Sequence, residues 1–228
     1  MMTLLLSASQ AQPSFSCSSS STLIDLKNCN SLKTLHQLHA VSIKTNHIND
    51  PLIAAEILRF SAISGARDLP YALQVFDQIS QPNIFSWNTL IRAFSESDEA
   101  PHHAVILYAQ LLHSEPHAPN RYTFPSLLKA CSRIPAIEEG KQIHCHAIKL
   151  GFFADGFVLT NLARMYALCG RIEDARRSVQ ESRLPPGSEA NAVIHNILVD
   201  GYCRLGMISN AAQVFDEMNS RTVISWNG

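Results

Sequence analysis

Apolar side chains recur along this chain at helical spacing, in stripes that restart about every 35 residues. Each stripe follows the pattern i, i+3, i+4, i+7, which places four side chains on one face of an α-helix. Five such stripes begin at Ala54, Trp87, Phe124, Leu159 and His195, in steps of 33, 37, 35 and 36 residues. A stripe repeated at a near-constant period predicts an array of stacked helical units rather than one globular core.

Several units carry a second apolar stripe of the same spacing, so each unit is predicted to contain two helices. The second stripes are Ala72-Val75-Phe76-Ile79, Ala104-Leu107-Tyr108-Leu111 and Ala211-Val214-Phe215-Met218. Glycine and proline fall between the stripes, where they interrupt no helix. No strand-like alternation of apolar and polar residues competes with this pattern. The sequence therefore predicts an all-α fold of helical hairpins.

Short motifs within this periodicity resemble those of the pentatricopeptide repeat family. The motifs are Ser-Trp-Asn-Thr-Leu-Ile-Arg-Ala-Phe at 86–94, Gln-Val-Phe-Asp-Gln-Ile at 74–79 and Tyr-Thr-Phe-Pro-Ser-Leu-Leu-Lys-Ala-Cys at 122–131. In addition, Gln-Leu-His at 37–39 matches Gln-Ile-His at 142–144, which is three units later. In this three-unit period the chain resembles the plant type of the family, in which standard, long and short repeats alternate. The resemblance implies a right-handed α-solenoid of helix-turn-helix repeats.

The repeat phase divides the chain into units. A partial repeat covers 23–50, and five repeats follow at 51–83, 84–120, 121–155, 156–191 and 192–222. Residues 223–228 would begin a further repeat, so we expect a fragment or truncated member of the family, since solenoid ends normally carry a polar cap. Residues 1–22 contain no charged side chain and are rich in serine, which predicts an organelle transit peptide or a disordered tail.

The family resemblance implies that each repeat binds one RNA base. The fifth residue of a unit and the residue just before the next unit would read the base edge, and the second residue would stack on the base. The implied readers are Asn88 with Asn120, Thr160 with Asn191, and Asn196 with Thr222. The implied stacking residues are Leu52, Phe85, Tyr122, Phe157, Val193 and Ile224. Neutral amides and hydroxyls suit this role because they recognise base edges, whereas charged groups bind the backbone of any sequence.

Two units depart from this pattern. The unit 51–83 has Ala55 at the fifth position, which cannot hydrogen-bond through its side chain, and the unit 121–155 has Pro125 with Asp155. Both are expected to read weakly or not at all. An alternative interpretation of residues such as Asn88 and Asn196 is that they cap or solvate the first turn of a helix.

No motif for catalysis or for a cofactor is present. The chain lacks a Walker A loop, and the His-Ser-Glu at 113–115 is not followed by the Pro-Cys-x-x-Cys of a zinc deaminase. His39 and His144 occupy the same repeat position, which favours packing over metal binding. The six cysteines form no Cys-x-x-Cys pair and are expected to be reduced thiols. We therefore expect a protein that is not an enzyme and has no cofactor, no metal, no small-molecule substrate and no membrane span.

The resemblance implies binding of single-stranded RNA in a mitochondrion or chloroplast, to select a site for processing, most plausibly cytidine-to-uridine editing. The deaminase would then be supplied in trans by editing-factor proteins, or it would belong to a missing C-terminal part of the protein. The net charge of −1 is the best argument for the alternative, a helical-repeat scaffold that binds proteins as tetratricopeptide repeats do. Scattered cations such as Lys27, Lys33, Lys44, Arg92, Lys129, Lys141, Lys149 and Arg164 could contact phosphates, but their positions in sequence do not show a common face.

Overall fold

The computed structural model describes residues 19–114, 116–182, 184–185 and 188–218, and these residues form helices without any strand. The helices are α1 (Ser19–Lys27), α2 (Leu32–Lys44), α3 (Pro51–Ile63), α4 (Leu69–Asp77), α5 (Ile84–Ser95), α6 (His102–His113), α7 (Thr123–Arg133), α8 (Ile137–Lys149), α9 (Gly156–Leu168), α10 (Ile172–Glu181), α11 (Glu189–Arg204) and α12 (Ile208–Asp216). A short 3-10 helix, His47–Asn49, connects α2 to α3. The prediction of an all-α fold is confirmed.

The helices pack in two layers. The odd-numbered helices from α3 to α11 contact one another in order, so they form one continuous layer. Each even-numbered helix from α4 to α10 packs against the odd-numbered helix before it and the one after it. The core is consequently a band between the two layers, as expected when each repeat contacts only its neighbours.

The predicted apolar stripes form this band. All four residues are buried in the stripes that begin at Ala54, Trp87, Phe124 and Leu159. The fifth stripe differs only at its first residue, because His195 is half-buried whereas the other three residues are buried. Trp87 and Leu159, which are 6% and 1% exposed, occupy equivalent buried environments, as the periodicity predicts.

Small residues allow the layers to approach closely. The alanines that begin the second stripes, Ala72 and Ala104, are fully buried. A Cβ atom added to Gly201 of α11 would lie 2.5 Å from Cδ1 of Ile172 on α10. That spacing is shorter than any van der Waals contact, so a larger residue there would force the Ile172 side chain to move.

The helix pairs can be compared with the proposed units. Helices α3 to α10 begin and end within 51–83, 84–120, 121–155 and 156–191, whereas α11 begins at Glu189, three residues before the proposed boundary at 192. Helix α1 begins at Ser19, inside the segment expected to be a leader, and Thr22 is buried. Residues 1–18 and 223–228, which include the rest of that leader and the expected further repeat, lie outside the described residues.

One buried and one half-buried histidine, His39 and His144, join helices of the array. Nδ1 of His39 lies 2.6 Å from the hydroxyl of Tyr71, and Nδ1 of His144 lies 3.0 Å from the hydroxyl of Tyr166. Burial lowers the pKa of both imidazoles and raises the pKa of both phenols to about 12. Both Nε2 atoms are buried without a partner among the described residues. These histidines therefore pack in the core in neutral form, and no cluster in the described ranges could hold a metal ion.

No helix in the described part of the chain is long and apolar enough to cross a membrane. Cys29, Cys131, Cys145, Cys169 and Cys203 are free thiols, and among these five only Cys131 is buried. Cys131 is buried in α7, and this burial raises its pKa to about 12, so the thiol stays protonated and unreactive near neutral pH.

His39 and His144 predict a loss of stability in mild acid. Since the pKa of His39 and of His144 is lower in the folded state, the unfolded chain binds more protons once the pH falls below about 6.5. The free energy of unfolding should be highest above that pH and should fall below it. The loss by about pH 5.5 cannot exceed roughly 1.4 kcal/mol per histidine, because each unfolded imidazole gains at most one proton.

Urea unfolding at several pH values, followed by circular dichroism, measures this loss. The double variant His39→Gln and His144→Gln keeps a hydrogen-bonding group near each tyrosine but does not titrate. Its unfolding free energy should change less with pH than that of the parent chain. An equally steep pH dependence in both proteins would contradict the assignment to these two histidines.

Candidate nucleic-acid interface

The second position of each unit exposes a large apolar side chain. Leu52, Phe85, Tyr122, Phe157 and Val193 are between 36% and 66% exposed. The first four lie in or just before the first turn of an odd-numbered helix, and Val193 is the fifth residue of α11. Helical geometry places this position opposite the buried stripe, whose residues follow two, five, six and nine positions later. A single apolar row thus runs along the solvent side of the odd-numbered layer. Ile224 lies outside the described residues.

The typical distance between packed helices is close to the space that a planar base needs between two side chains. Packed helices lie about 8–10 Å apart. A planar base between two walls needs about 7–8 Å, because each face makes contact at about 3.5–4.0 Å. The odd-numbered helices contact one another directly, so the second-position side chains of adjacent units are carried on helices packed at about this interaxial distance.

The structure brings the predicted readers Asn88 and Asn120 together. Nδ2 of Asn88 donates a hydrogen bond of 3.1 Å to Oδ1 of Asn120. The hydroxyl of Thr123 donates to Oδ1 of Asn88 over 2.8 Å, and it accepts the backbone N–H of Asn120 over 3.0 Å. Thr123 was not singled out from the sequence, although it follows the polar Asn120 at the helix start, where Ser and Thr commonly bond to backbone groups.

This network uses the amide oxygens of both asparagines as acceptors and leaves amide N–H donors available. Oδ1 of Asn120 also accepts the backbone N–H of Tyr122 over 3.0 Å. A primary amide has two N–H donors, so within the described residues the side chain of Asn120 retains two and Asn88 retains one. Both side chains are half-buried at the base of the apolar row. Their remaining N–H groups can donate to a further acceptor.

The last residue of several units also initiates the next helix. Asp50 accepts the backbone N–H of Leu52, Asn83 accepts that of Ser86, and Asp155 accepts those of Phe157 and Val158. Each of these oxygens satisfies a backbone N–H that the helix itself leaves unpaired. In these three cases the last residue of a unit therefore caps the next helix. The alternative interpretation of the sequence expected capping at fifth positions such as Asn88.

The other predicted readers are arranged differently. The hydroxyl of Thr160 donates to the carbonyl of Gly156 over 2.7 Å, and in the described chain no hydrogen bond joins it to Asn191. Asn191 lies within the first turn of α11, and its carbonyl bonds to Nδ1 of His195 over 2.7 Å. Asn196 is half-buried on α11, and Thr222 lies outside the described residues.

Two units have no polar reader at the fifth position. Pro125 is buried in the first turn of α7, and Ala55 is half-buried in α3. In the unit that contains Pro125, the last residue Asp155 is already engaged, because Arg121 forms an ion pair of 3.0 Å with it. The guanidinium of Arg121 also lies 5.7 Å from the centre of the Tyr122 ring. These contacts give Asp155 a structural role.

Comparisons with known proteins agree with this geometry. Residues 187–219 match the family model described as the PPR repeat. A pentatricopeptide repeat-containing protein of Arabidopsis thaliana is 45% identical over 215 residues, covering 89% of this chain and 33% of the relative. A second Arabidopsis protein of this name, called chloroplastic/mitochondrial, is 36% identical over 195 residues, covering 84% of this chain and 30% of the relative.

The chain thus spans about a third of the length of these relatives. The crystal structure of the pentatricopeptide repeat protein PPR10 from maize superposes with a TM-score of 0.65 at 16% identity. It covers 86% of this chain and 28% of the maize chain. This likeness concerns the fold, and it confirms the predicted α-solenoid of helical repeats.

The hydrogen bonds of Asn120 predict the effect of changing this residue. Asn120→Ala removes the oxygen that accepts both the Tyr122 N–H and the Asn88 amide, so the free energy of unfolding should fall by about 1 kcal/mol. Asn120→Asp keeps this oxygen and should cost less. Urea unfolding compares both with Asn30→Ala, a change at an exposed loop residue. Equal losses for the two alanine variants would contradict the structural role of these bonds.

Proposed function

Because this chain belongs to the family of plant pentatricopeptide repeat proteins, we propose that it binds single-stranded RNA and selects a position in an organellar transcript. The single observation that carries this proposal is the row of exposed apolar side chains at the second position of five successive units. Leaving large apolar groups in water is unfavourable, and a regular row of them indicates a binding surface. Bases provide flat faces that stack on such groups without regard to sequence.

Base selection would come from the polar groups beneath this row. The free donors of Asn88 and Asn120 can pair with carbonyl oxygens, which pyrimidines and guanine carry and adenine lacks. The family resemblance assigns a pyrimidine to the unit 84–120. From the family resemblance we assign adenine to Thr160 with Asn191, and a pyrimidine to Asn196 with Thr222, in 5′ to 3′ order.

Units without readers would still hold the strand. Leu52 and Tyr122 are well exposed although their units have Ala55 and Pro125 at the fifth position. A base can stack there without a hydrogen bond to its edge, so these units would advance the strand by one nucleotide without selecting it. Specificity would then rest on the three units that have polar readers.

Site selection for cytidine-to-uridine editing is the finer form of this proposal. The alternation of unit lengths in the sequence supports it, since that arrangement is typical of the plant type associated with editing. This chain would contribute recognition, and editing-factor proteins would supply the deaminase. A mitochondrion or chloroplast is the proposed compartment, in line with the relative named chloroplastic/mitochondrial.

A protein-binding scaffold is the second candidate, and the near-neutral charge favours it. A peptide groove would also use exposed apolar side chains. It has no need, however, for polar residues such as Asn88, Thr160 and Asn196 at the fifth position of units whose second position is apolar. RNA binding accounts for both features together.

Removing a stacking wall should weaken binding of every RNA sequence. Phe85→Ala and Tyr122→Ala should each cost about 1–3 kcal/mol of binding free energy, the range for one stacked base. Fluorescence anisotropy with labelled single-stranded RNA measures the change. Ile106→Ala is the matched control, because Ile106 is an exposed apolar residue on the even-numbered helix α6. Unchanged affinity in both stacking variants would refute the proposed interface.

Changing a reader should alter base preference without removing binding. Thr160→Asn exchanges a hydroxyl for a larger amide, so preference at one nucleotide should move from adenine toward a pyrimidine. Thr160→Val has the shape of threonine without its hydroxyl and should reduce discrimination at the same nucleotide. An RNA panel varied at that position measures both effects.

Identical affinities for all four bases in the parent chain and both Thr160 variants would rule out this reader. The same RNA, incubated with the purified chain, tests the expectation that the protein is not an enzyme. Formation of uridine by the chain alone would overturn it.

A further inference from the structure

Positively charged side chains occupy the ninth position of four successive units. They are Arg59, Arg92, Lys129 and Arg164, and the fifth unit has Asp200 at this position. Each cation follows the apolar second-position residue of its unit by seven residues, which is almost two full helical turns. The two side chains therefore lie on the same face of an odd-numbered helix, about 10 Å apart along its axis.

This cationic row runs parallel to the apolar row. The side chains of Arg59, Arg92 and Lys129 are 44–57% exposed, and Arg164 is exposed as well. Helices α3, α5, α7 and α9 contact one another in order, so the four cations line one side of the layer. Bases stacked on the apolar row would leave their phosphates beside it, where long arginine and lysine side chains can reach them.

Carboxylates already neutralise three of these cations. Arg59 is paired with Glu56 over 2.6 Å on the same helix. Glu96 lies 3.4 Å from Arg92 on its own helix and 3.5 Å from Lys129 on the next odd-numbered helix. Arg164 forms no ion pair within the described chain. In the fifth unit this position carries the negative charge of Asp200 in place of a cation, and the Asp200 carboxylate pairs with Arg204 over 2.9 Å.

We propose that the ninth-position cations form a track for the RNA phosphates, that Glu96 competes with RNA for Arg92 and Lys129, and that the track ends at Asp200. This inference rests on the proposed RNA binding and specifies the electrostatics of the same surface. The pairs that Glu96 makes are exposed and long, so they add little stability and a phosphate can replace the carboxylate. A chain of net charge −1 thereby gains local sites for a polyanion.

The competition can be measured with Glu96→Gln, which removes the negative charge and keeps the shape of the side chain. We expect it to bind a fluorescein-labelled single-stranded RNA about 3- to 10-fold more tightly at low salt, because two cations lose their competitor. The slope of log affinity against log salt should become steeper by about 0.7, the value for one additional phosphate on a single strand.

Glu138→Gln is the matched control. It makes the same change in net charge and opens the exposed pair with Lys141 on the even-numbered helix α8, away from the row. Its affinity and salt slope should equal those of the parent chain. Arg164→Gln should weaken binding of all four bases equally and should make the salt slope shallower by about 0.7.

The outcomes separate this inference from the proposed function. If the parent chain binds RNA and Phe85→Ala weakens it, but Glu96→Gln matches Glu138→Gln, then the phosphate track is wrong and the apolar interface stands. If Glu138→Gln tightens binding as much as Glu96→Gln, then net charge alone acts and the track is again overturned. If neither the parent chain nor Glu96→Gln binds RNA, then the proposed function and the track both fail.

Discussion

The burial of one stripe on each odd-numbered helix is the constraint on which the rest of this structure depends. Residues such as Leu90, Leu127 and Leu162 are almost completely removed from water, and their packing holds successive helices side by side in a fixed rotation. Once that face is committed to the core, the opposite face must point to solvent. The second and ninth positions of the units lie on that outer face, and the fifth positions are more buried, as Asn88 and Pro125 show. Regular packing therefore converts a repeating sequence into regular rows of exposed groups.

These rows explain how a chain with almost no net charge could bind the proposed polyanionic partner. Bulk charge is a poor guide here because cations recur at the ninth position of four units and carboxylates partly pair with them, as in Arg92 with Glu96. Apolar walls, amide donors and cations lie at different heights of the same helices, so stacking, base recognition and backbone contact can act on one nucleotide together. A protein-binding scaffold would use only the apolar side chains.

Periodicity predicts the helix pairs and the buried stripes well, because residues spaced three or four apart share a helix face whatever surrounds them. It does not predict the start of α11 at Glu189, where Ser188 provides the cap. The bond between Asn88 and Asn120 depends on the distance between two helices, which a single sequence does not contain. The cations could have been assigned to one face from the sequence by comparing their positions within each repeat. Arg59, Arg92, Lys129 and Arg164 keep a constant offset from the apolar row, whereas Lys141 and Lys149 belong to α8.

The structural role of the last residue of a unit limits how such an array could be retargeted. The side chain of Asn120 accepts the backbone N–H of Tyr122 just before α7, and it also bonds to Asn88 of the preceding unit. Short polar side chains, chiefly Asn, Asp, Ser and Thr, make such bonds to nearby backbone groups. The residues available for the proposed base recognition at this position are therefore restricted by the turn that precedes the next helix. A change of target that requires any other residue there would have to be compensated by extra stability elsewhere in the array.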